Sequence, residues 1–386
     1  MFKELERIGK KLTMKLTKYK LGDLIVQRRE KNNNYDVPIR GVSKDGFIPA
    51  KQKEADTSIY NVFYKYDFVF NPARMELNSI ALNLEYDKAL CSSLYEVFYV
   101  KDESVVLPEF LNLHIKRDEF ARHCDYIGLG SAREYCRFAN IAEFDIELPP
   151  IEVQEEIVEA DRLIKQSIRL NNQMIQNLEA TAQALYRKTF VDNIDKENLP
   201  EGWRMGTLGE FCTEMKSGGT PSRNHNEYWD KNDFPWLKSG EVHNNIIVSV
   251  EEYISQSGLD NSSAKIIPQG SVIMAMYGAT AAQVAYLDCD TTTNQVCCNM
   301  ICNSKEDAAY LFFHLLANQD DIKKLANGGA QENLSQELIA QQPVLIICDN
   351  KVKSLFVPIL DNLIVRYKEN IKLTELQSLL MAKMGQ

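Results

Sequence analysis

The clearest pattern along the chain is a seven-residue spacing of apolar positions between residues 153 and 190. This stretch has no Gly or Pro, and its apolar positions lie three, four and seven residues apart. Such spacing predicts a long helix with a narrow coiled-coil stripe. The same spacing recurs 195 residues later. The two predicted seam rows are Ile157, Ile164, Asn171, Leu178 and Leu185, and Val352, Ile359, Arg366, Leu373 and Leu380.

The third position of each row is polar, Asn171 in the first and Arg366 in the second. Two antiparallel helices pair the rows in opposite order, so we predict that Asn171 lies near Arg366 and that this polar layer fixes the register. The alternative is that both side chains point to solvent. A proline inside a helix costs about 3 kcal/mol, so the second helix should kink or begin near Pro358.

The segments before the two helices also repeat. Leu21-Gly22-Asp23-Leu24 matches Leu208-Gly209-Glu210-Phe211, and strand-like runs at 66–70 and 269–274 follow in the same order. Runs rich in Val, Ile, Phe and Tyr between Gly, Asn and Pro are typical of strands. The fold class is therefore predicted as α+β (mixed α/β), with two tandem globular domains, two long helices packed as an antiparallel coiled coil, and a pseudo-two-fold internal repeat.

This repeat divides the chain into five predicted segments. They are a helical extension at 1–14, a first globular domain at 15–150, a central long helix at 151–190, a second globular domain at 191–343, and a C-terminal long helix at 344–386.

Charge is distributed unevenly along the chain. The net charge is −10, yet residues 1–53 hold 14 Lys and Arg against 6 Asp and Glu. This basic stretch could contact phosphates, or it could be a solvated face. Nine cysteines, an odd number, indicate reduced thiols, and the group Cys289, Cys297, Cys298 and Cys302 lacks the paired spacing of a zinc site. No metal site is predicted.

Catalytic motifs are missing from the sequence. Asn71-Pro72-Ala73-Arg74 lacks the second proline and the aromatic residue of an amino-methyltransferase motif, and no GxxxxGK[ST] loop is present. The five histidines are scattered, and His314 in an apolar run is expected in or near the core. No catalytic residue is therefore predicted, and the chain is expected not to be an enzyme by itself.

Side chains able to contact DNA occur in polar stretches of both halves. Arg and Lys pair with guanine, Asn and Gln pair with adenine, and Lys, Ser and Thr contact the backbone. Polar loops are more often simply solvated. Gly218 and Gly219 should allow a close backbone approach, and the loop 216–223 is expected on the DNA face. The candidates are Arg28, Arg29, Lys31, Asn33, Arg40 and Arg74, and Lys216, Thr220, Ser222, Arg223 and Lys238.

The second half of the chain also carries short motifs in a distinctive order. They are Leu199-Pro200-Glu201-Gly202-Trp203, Gly218-Gly219-Thr220-Pro221-Ser222, Tyr228-Trp229, Phe234-Pro235-Trp236-Leu237, Gly270-Ser271-Val272-Ile273-Met274, Gly278-Ala279-Thr280 and Thr293-Asn294-Gln295. This order resembles a target-recognition domain of type I restriction-modification specificity subunits. Through the repeat, the resemblance extends over nearly the whole chain, although Pro221 and Trp236 have no counterpart in the first half.

The resemblance implies a non-catalytic subunit that reads a bipartite double-stranded DNA target. It implies two methyltransferase subunits and restriction (nuclease and translocase) subunits as partners. S-adenosylmethionine, ATP and Mg would then be held by those partners and not by this chain. The most apolar stretch, 272–287, is shorter than the roughly 20 residues of a membrane span, so a cytoplasmic location is expected. The alternative function is a coiled-coil scaffold that binds proteins without reading DNA.

Overall fold

The computed structural model describes residues 16–50, 56–128, 135–192, 194–195, 197–326 and 333–384. The predicted helical extension at 1–14 lies outside these residues. The chain separates into two compact units: the first holds the residues up to Gln166 and those from Leu373 onward, and the second is Ser167–Lys372. Each long helix is therefore divided between the two units.

The first unit contains two four-stranded sheets and one strand pair. The orders are β2-β9-β6-β7 and β4-β3-β8-β5, and β1 pairs with β10. The strands are β1 Thr17–Lys20, β2 Ile25–Arg28, β3 Ile39–Ser43, β4 Gly46–Pro49, β5 Asn61–Tyr64, β6 Phe68–Phe70, β7 Ile80–Leu82, β8 Lys88–Cys91, β9 Glu96–Val100 and β10 Asp145–Leu148. The short helices are α1 Leu21–Leu24, α2 Pro108–Ile115, α3 Asp118–Gly128 and α4 Phe138–Ala142. Phe63, Val69, Ala89 and Val97 form part of the buried core between the sheets.

The second unit repeats this plan with a longer sheet. Its orders are β12-β19-β16-β17-β14 and β15-β13-β18, and β11 pairs with β20. The strands are β11 Trp203–Thr207, β12 Glu214–Ser217, β13 Phe234–Leu237, β14 Asn245–Ile247, β15 Glu252–Ile254, β16 Val272–Ala275, β17 Val284–Leu287, β18 Thr292–Thr293, β19 Cys297–Ile301 and β20 Pro343–Ile347.

The two long helices are α5 Ile151–Arg187 and α12 Val357–Lys383, and α5 continues into a π-helical turn at Lys188–Asp192. The short helices of the second unit are α6 Leu208–Phe211, α7 Gln256–Asp260, α8 Lys305–Ala317, α9 Gln319–Lys324, α10 Gln336–Ala340 and α11 Asn350–Lys353. The mixed fold class with two repeated domains and long paired helices is confirmed.

The matched Leu-Gly motifs form a short helix at the same place in both units. A Cβ on Gly22 would lie 2.9 Å from Ala142 Cβ, and one on Gly209 would lie 3.4 Å from Ala340 Cβ. Ala142 ends α4 and Ala340 ends α10. Gly22 therefore lets α1 pack closely against the last turn of α4, whereas a Cβ at Gly209 would make an ordinary contact with α10.

The C-terminal segment corrects one predicted boundary. Residues 344–347 do not begin the long helix but belong to β20, which pairs with β11 from Trp203↔Ile347 to Thr207↔Pro343. Val344, Leu345 and Ile347 are buried, as expected for branched apolar residues in a strand. The long helix begins only at Val357, so Pro358 lies in its first turn, where a missing N–H costs no helical bond. The expected start near Pro358 is confirmed.

The polar layer of the helices is observed in the second unit. Arg366 Nη1 donates to Asn171 Oδ1 at 3.1 Å, and Asn171 Nδ2 donates to Asn370 Oδ1 at 3.0 Å. Near the other end of α5, the rings of Phe190 and Phe356 stack at 5.9 Å. The helices therefore run antiparallel in this unit, and the predicted proximity of Asn171 and Arg366 is confirmed.

The seam follows the predicted row in α5 more closely than in α12. Ile157, Ile164 and Asn171 are buried, and Leu178 and Leu185 are half-buried. In the second half, Leu380 is buried, but Ile359, Arg366 and Leu373 are only half-buried, and Val352 lies in α11 before the long helix. The buried apolar positions there are Phe356, Leu360, Leu363, Ile364, Leu376, Leu380 and Met384. The 3-10 turn at Ser354–Phe356 separates Val352 from the rest of the row, and within the long helix most buried positions lie beside the predicted row.

Candidate nucleic-acid interface

In the second unit, loops from four places in the sequence lie side by side at one edge of the five-stranded sheet. Gly219 N donates to Thr293 O at 2.8 Å, which joins the end of β12 to the loop before β19. Leu334 N donates to Met276 O at 2.8 Å, and Tyr277 bridges Asn333. We call residues 217–220, 277–280, 294–296 and 333–336 the second rim.

The first unit has the corresponding loops at the corresponding strand ends. Cys136 N donates to Pro72 O at 3.0 Å, as Leu334 does to Met276 in the second unit. Gln27 Nε2 and Phe138 N both donate to Glu96 at the start of β9. We call residues 27–29, 71–78, 92–96 and 135–138 the first rim. The two rims are therefore loops of one framework with different side chains.

Gly218 and Gly219 are required for packing inside the second unit. A Cβ on Gly218 would lie 2.0 Å from Thr293 O, and one on Gly219 would lie 2.2 Å from Ser263 Oγ. Both glycines are buried. The close approach expected at these glycines is therefore made to the protein's own backbone, because the strand end must pass beside Thr293. The exposed part of the loop begins at Thr220 and resumes at Ser222.

Several candidate cations of the first unit are held by internal partners. Arg28 Nε and Nη2 bond both carboxylate oxygens of Asp67, at 2.6 and 3.0 Å. The Arg28 guanidinium lies 4.8 Å from the centre of the Tyr64 ring and 4.5 Å from that of Tyr99. Burial raises the pKa of Asp67, while the hydrogen bonds from Arg28 and Tyr64 act to lower it. Arg28 therefore compensates a buried carboxylate.

Lys31, Arg40 and Arg29 have internal contacts of a weaker kind. Lys31 Nζ donates to Asn61 Oδ1 at 2.7 Å, and Arg40 Nε donates to the Tyr86 hydroxyl at 2.8 Å. Arg29 is exposed and donates to Gln27 Oε1 at 2.9 Å. Each of these cations keeps at least one donor for a second partner, although Lys31 Nζ also donates to Ile59 O at 3.0 Å.

Arg74 and Asn33 are the candidates of the first unit whose side chains have no bonded partner among the described residues. Arg74 lies in the first rim, in a 3-10 turn capped by Asn71, and its φ of −141° breaks the helical geometry. Its carbonyl accepts from Ser79 N, so the backbone is fixed while the exposed guanidinium is free. A free guanidinium on a fixed turn suits bidentate contact with a base or phosphate.

In the second unit, the candidate cations are all ion-paired. Lys216 Nζ lies 3.0 Å from Glu214, and Lys238 Nζ lies 2.8 Å from Glu251 and 3.1 Å from Glu252. The hydrogen bonds that Lys238 donates to Glu251 and Glu252 raise its pKa. Arg223 Nη2 lies 2.6 Å from Glu252, and its guanidinium lies 3.5 Å from the centre of the Trp229 ring. These pairs are at least partly exposed, and such surface pairs contribute little to stability, so their cations can exchange one anion for another.

The uncharged candidates of the second unit lie on or beside the second rim. Thr220 Oγ1 donates to Gln295 Oε1 at 2.5 Å. Ser222 is exposed, and its carbonyl accepts from Trp229 Nε1 at 3.2 Å. Neither Gln295 nor the exposed Tyr277 was among the sequence-based candidates. The signal for Gln295 was present in the sequence, since Thr293-Asn294-Gln295 is one of the motifs in the distinctive order.

Two of the five histidines and six of the nine cysteines are buried. His314 is buried in α8, as expected, and bonds the Tyr186 hydroxyl at 2.7 Å. Burial lowers the pKa of His314 to about 4 and that of His114 in α2 to about 3. Cys297 is buried, which raises the pKa of its thiol to about 12. Within the described ranges, no three potential ligands come close enough to hold a metal ion.

Comparison with known proteins places this framework in a family. Residues 11–180 and 200–374 both match the type I restriction modification DNA specificity domain. The chain belongs to this family. It holds two copies of the specificity domain, and two copies fit the recognition of a two-part target.

Individual relatives agree with this assignment. The HindI type I restriction enzyme specificity subunit of Haemophilus influenzae is 23% identical over 361 residues, which cover 73% of this chain and 77% of that protein. The EcoR124I/EcoR124II specificity subunit of Escherichia coli is 25% identical over 147 residues, or 37% of this chain and 35% of that one. The S subunit crystal structure from M. genitalium has the same fold over 96% of both chains, with a TM-score of 0.62 and 14% identity.

Across the described part of the chain, no helix has the length and apolar character needed to span a membrane.

Proposed function

We propose that this chain is the DNA-recognition subunit of a type I restriction-modification complex and that each domain reads one half of a bipartite target. The observation that carries the proposal is the repeated specificity domain, together with two units in which the same strand ends carry loops of different chemistry. A shared framework with different rims suits two domains that read different sequences.

The rims also have the groups that base recognition uses. Arg74 lies on the first rim, and Thr220, Tyr277 and Gln295 lie on the second. Arginine pairs with guanine in the major groove, and glutamine pairs with adenine. The ion-paired Lys216, Arg223 and Lys238 flank the second rim and would contact phosphates by exchanging their carboxylate partners for the DNA backbone.

The chemistry would be supplied by partner subunits. Two methyltransferase subunits would bind S-adenosylmethionine and methylate adenines, and restriction subunits would use ATP and Mg for translocation and cleavage. Exposed apolar side chains on α5, such as Leu170 at 51% and Met174 at 45% exposure, offer a surface for such protein partners. In this arrangement the chain sets the target while remaining without catalytic groups of its own.

The decisive experiment is co-expression of the chain with its methyltransferase subunit, followed by mapping of methylated adenines along genomic DNA. One bipartite sequence should be modified. Replacing residues 15–148 with the equivalent segment of a homologue should then change one half of the target and leave the other half intact. A replacement that altered both halves would exclude one half-site for each domain.

A simpler assay distinguishes this proposal from the alternative, in which the chain is a scaffold that does not recognise a DNA sequence. Specific DNA binding by the assembled complex should weaken steeply as salt rises, because each phosphate contact releases counterions. A scaffold would bind its protein partners equally well but would show no preference for any DNA sequence.

A further inference from the structure

The side chain of Gln295 is presented at the tip of a rigid turn between β18 and β19. Asn294 Oδ1 accepts from Val296 N at 3.2 Å and from Cys297 Sγ at 3.2 Å, which closes the turn. Asn294 N donates in turn to Leu237 O at 3.1 Å. The residues on either side of Gln295 are thus fixed to the sheet, while Gln295 itself is exposed.

Thr220 fixes the orientation of the Gln295 amide. Its hydroxyl donates to Gln295 Oε1 at 2.5 Å. The backbone next to Thr220 is fixed on both sides of Gly219. Gly219 N donates to Thr293 O, and Gly219 O accepts from Trp236 Nε1 at 3.0 Å. The absence of a Cβ at Gly218 and Gly219 permits this close packing. The Gly218-Gly219-Thr220 sequence therefore places the Thr220 hydroxyl against the Gln295 side-chain amide.

This arrangement leaves a specific set of free groups. The Thr220 hydroxyl uses one lone pair of Gln295 Oε1. The second lone pair of Oε1 and both N–H donors of Nε2 remain available. No residue of the described part of the second unit bonds Nε2. An acceptor beside a donor in one plane is the pattern that pairs with N6 and N7 of adenine.

We propose that Gln295 reads an adenine in the half-site of the second domain and that Thr220 is the positioning residue that holds its amide for this contact. The inference rests on the proposed function and adds a residue and a base to it. Fixing the amide before binding removes the entropic cost of ordering a glutamine side chain at the interface.

The test is a set of variants at Gln295 in the co-expressed methyltransferase complex, with methylated sites mapped and with competition binding against all four base pairs at each position. Gln295→Ala should lose roughly 10- to 100-fold of discrimination at one A·T pair of the second half-site. Gln295→Glu, which only accepts, should shift the preference at that pair toward C·G. The first half-site should be unchanged in both variants.

Thr220 is tested at the same base pair. Thr220→Val should reduce discrimination there without changing other positions, and Thr220→Ser should restore it, because only the hydroxyl is required. A purely structural role would predict equal losses across all positions. Gln341→Ala is the matched control, since Gln341 is an exposed glutamine of the same unit that lies outside the second rim.

Three outcomes would overturn the inference. Unchanged discrimination and affinity in Gln295→Ala would show that the side chain does not face DNA. Uniform weakening on every sequence would identify a backbone contact in place of base reading. A loss at a G·C pair would contradict the adenine assignment. If the wild-type complex modifies no bipartite sequence, the proposed function fails instead, independently of Gln295.

Discussion

The two units share their framework and differ in how they use matched positions. Arg28 ends β2 opposite Val97, and Ser217 ends β12 opposite Cys298 at the same place in the sheet. Arg28 is held by a buried aspartate, whereas the Ser217 hydroxyl bonds Gln336 Oε1 at 3.0 Å. The free arginine of the first rim is Arg74, and the corresponding loop of the second unit carries Tyr277 and Thr280. Basic residues in the sequence therefore divide into those that support the framework and those that are free to read DNA.

Removal of Arg28 should have the largest effect on stability. Arg28→Ala leaves the Asp67 carboxylate buried with one backbone donor, and we expect a loss of about 3 kcal/mol in the free energy of unfolding. Urea denaturation of the purified chain measures this loss. Ser217→Ala at the matched position should lose about 1 kcal/mol, because it removes a single neutral hydrogen bond. Equal losses at the two positions would contradict the division of roles.

Removal of Arg74 should act on DNA and not on folding. Arg74→Ala should weaken binding to the correct target by about 2 kcal/mol if the guanidinium contacts a base, while the denaturation midpoint stays at the wild-type value. Competition binding with altered first half-sites locates the affected base pair. A loss of stability without a change in DNA binding would show that Arg74 supports the fold and does not contact DNA.

The structure also shows which features could be predicted from the sequence. The helices, the repeat and the proximity of Asn171 to Arg366 follow from regular spacing, which a single chain displays directly. The roles of Arg28 and Arg223 do not, because Asp67 and Glu252 lie 39 and 29 residues away. The packing of Gly218 against Thr293 is likewise invisible in the sequence. Local periodicity predicts elements, whereas partners are set by the tertiary fold.

Both units should lose stability in mild acid through matched buried histidines. Their pKa values are about 3 for His114 and about 4 for His314 in the folded chain, below the ordinary value of 6.5. The unfolded state therefore binds protons that the folded state excludes, so stability is complete above pH 6.5 and decreases as the pH falls. At pH 5.5 each histidine should cost about 1.4 kcal/mol.

The pH effect is separated from general acid sensitivity by replacing one histidine at a time. Denaturation midpoints at pH 7.5 and 5.5 should differ less for His314→Gln than for the wild type. The exposed His225 provides the control, and His225→Gln should keep the full wild-type difference. If both variants keep that difference, the buried histidines do not cause the loss.

The smallest expected effect concerns the polar layers of the helices, which also differ between the units. In the second unit, Asn171 bonds Arg366 and Asn370, whereas in the first unit Gln377 Nε2 donates to Asp161 Oδ1 at 2.8 Å. Arg366 Nε is buried without a hydrogen-bond partner among the described residues, so the layer of the second unit is incompletely satisfied. Replacing both Asn171 and Arg366 with Leu should raise the free energy of unfolding by about 1 kcal/mol.

The same double variant should lose register specificity, because apolar layers pair in more than one alignment whereas a polar layer excludes the others. Cysteine pairs introduced at neighbouring seam positions would report this, since crosslinking should spread from the native pair to pairs displaced by one turn. Asn171→Leu alone should instead be destabilising, because Arg366 then loses a partner. A more stable double variant that crosslinks only at the native pair would show that the apolar residues set the register, and that the polar layer of the second unit serves another purpose.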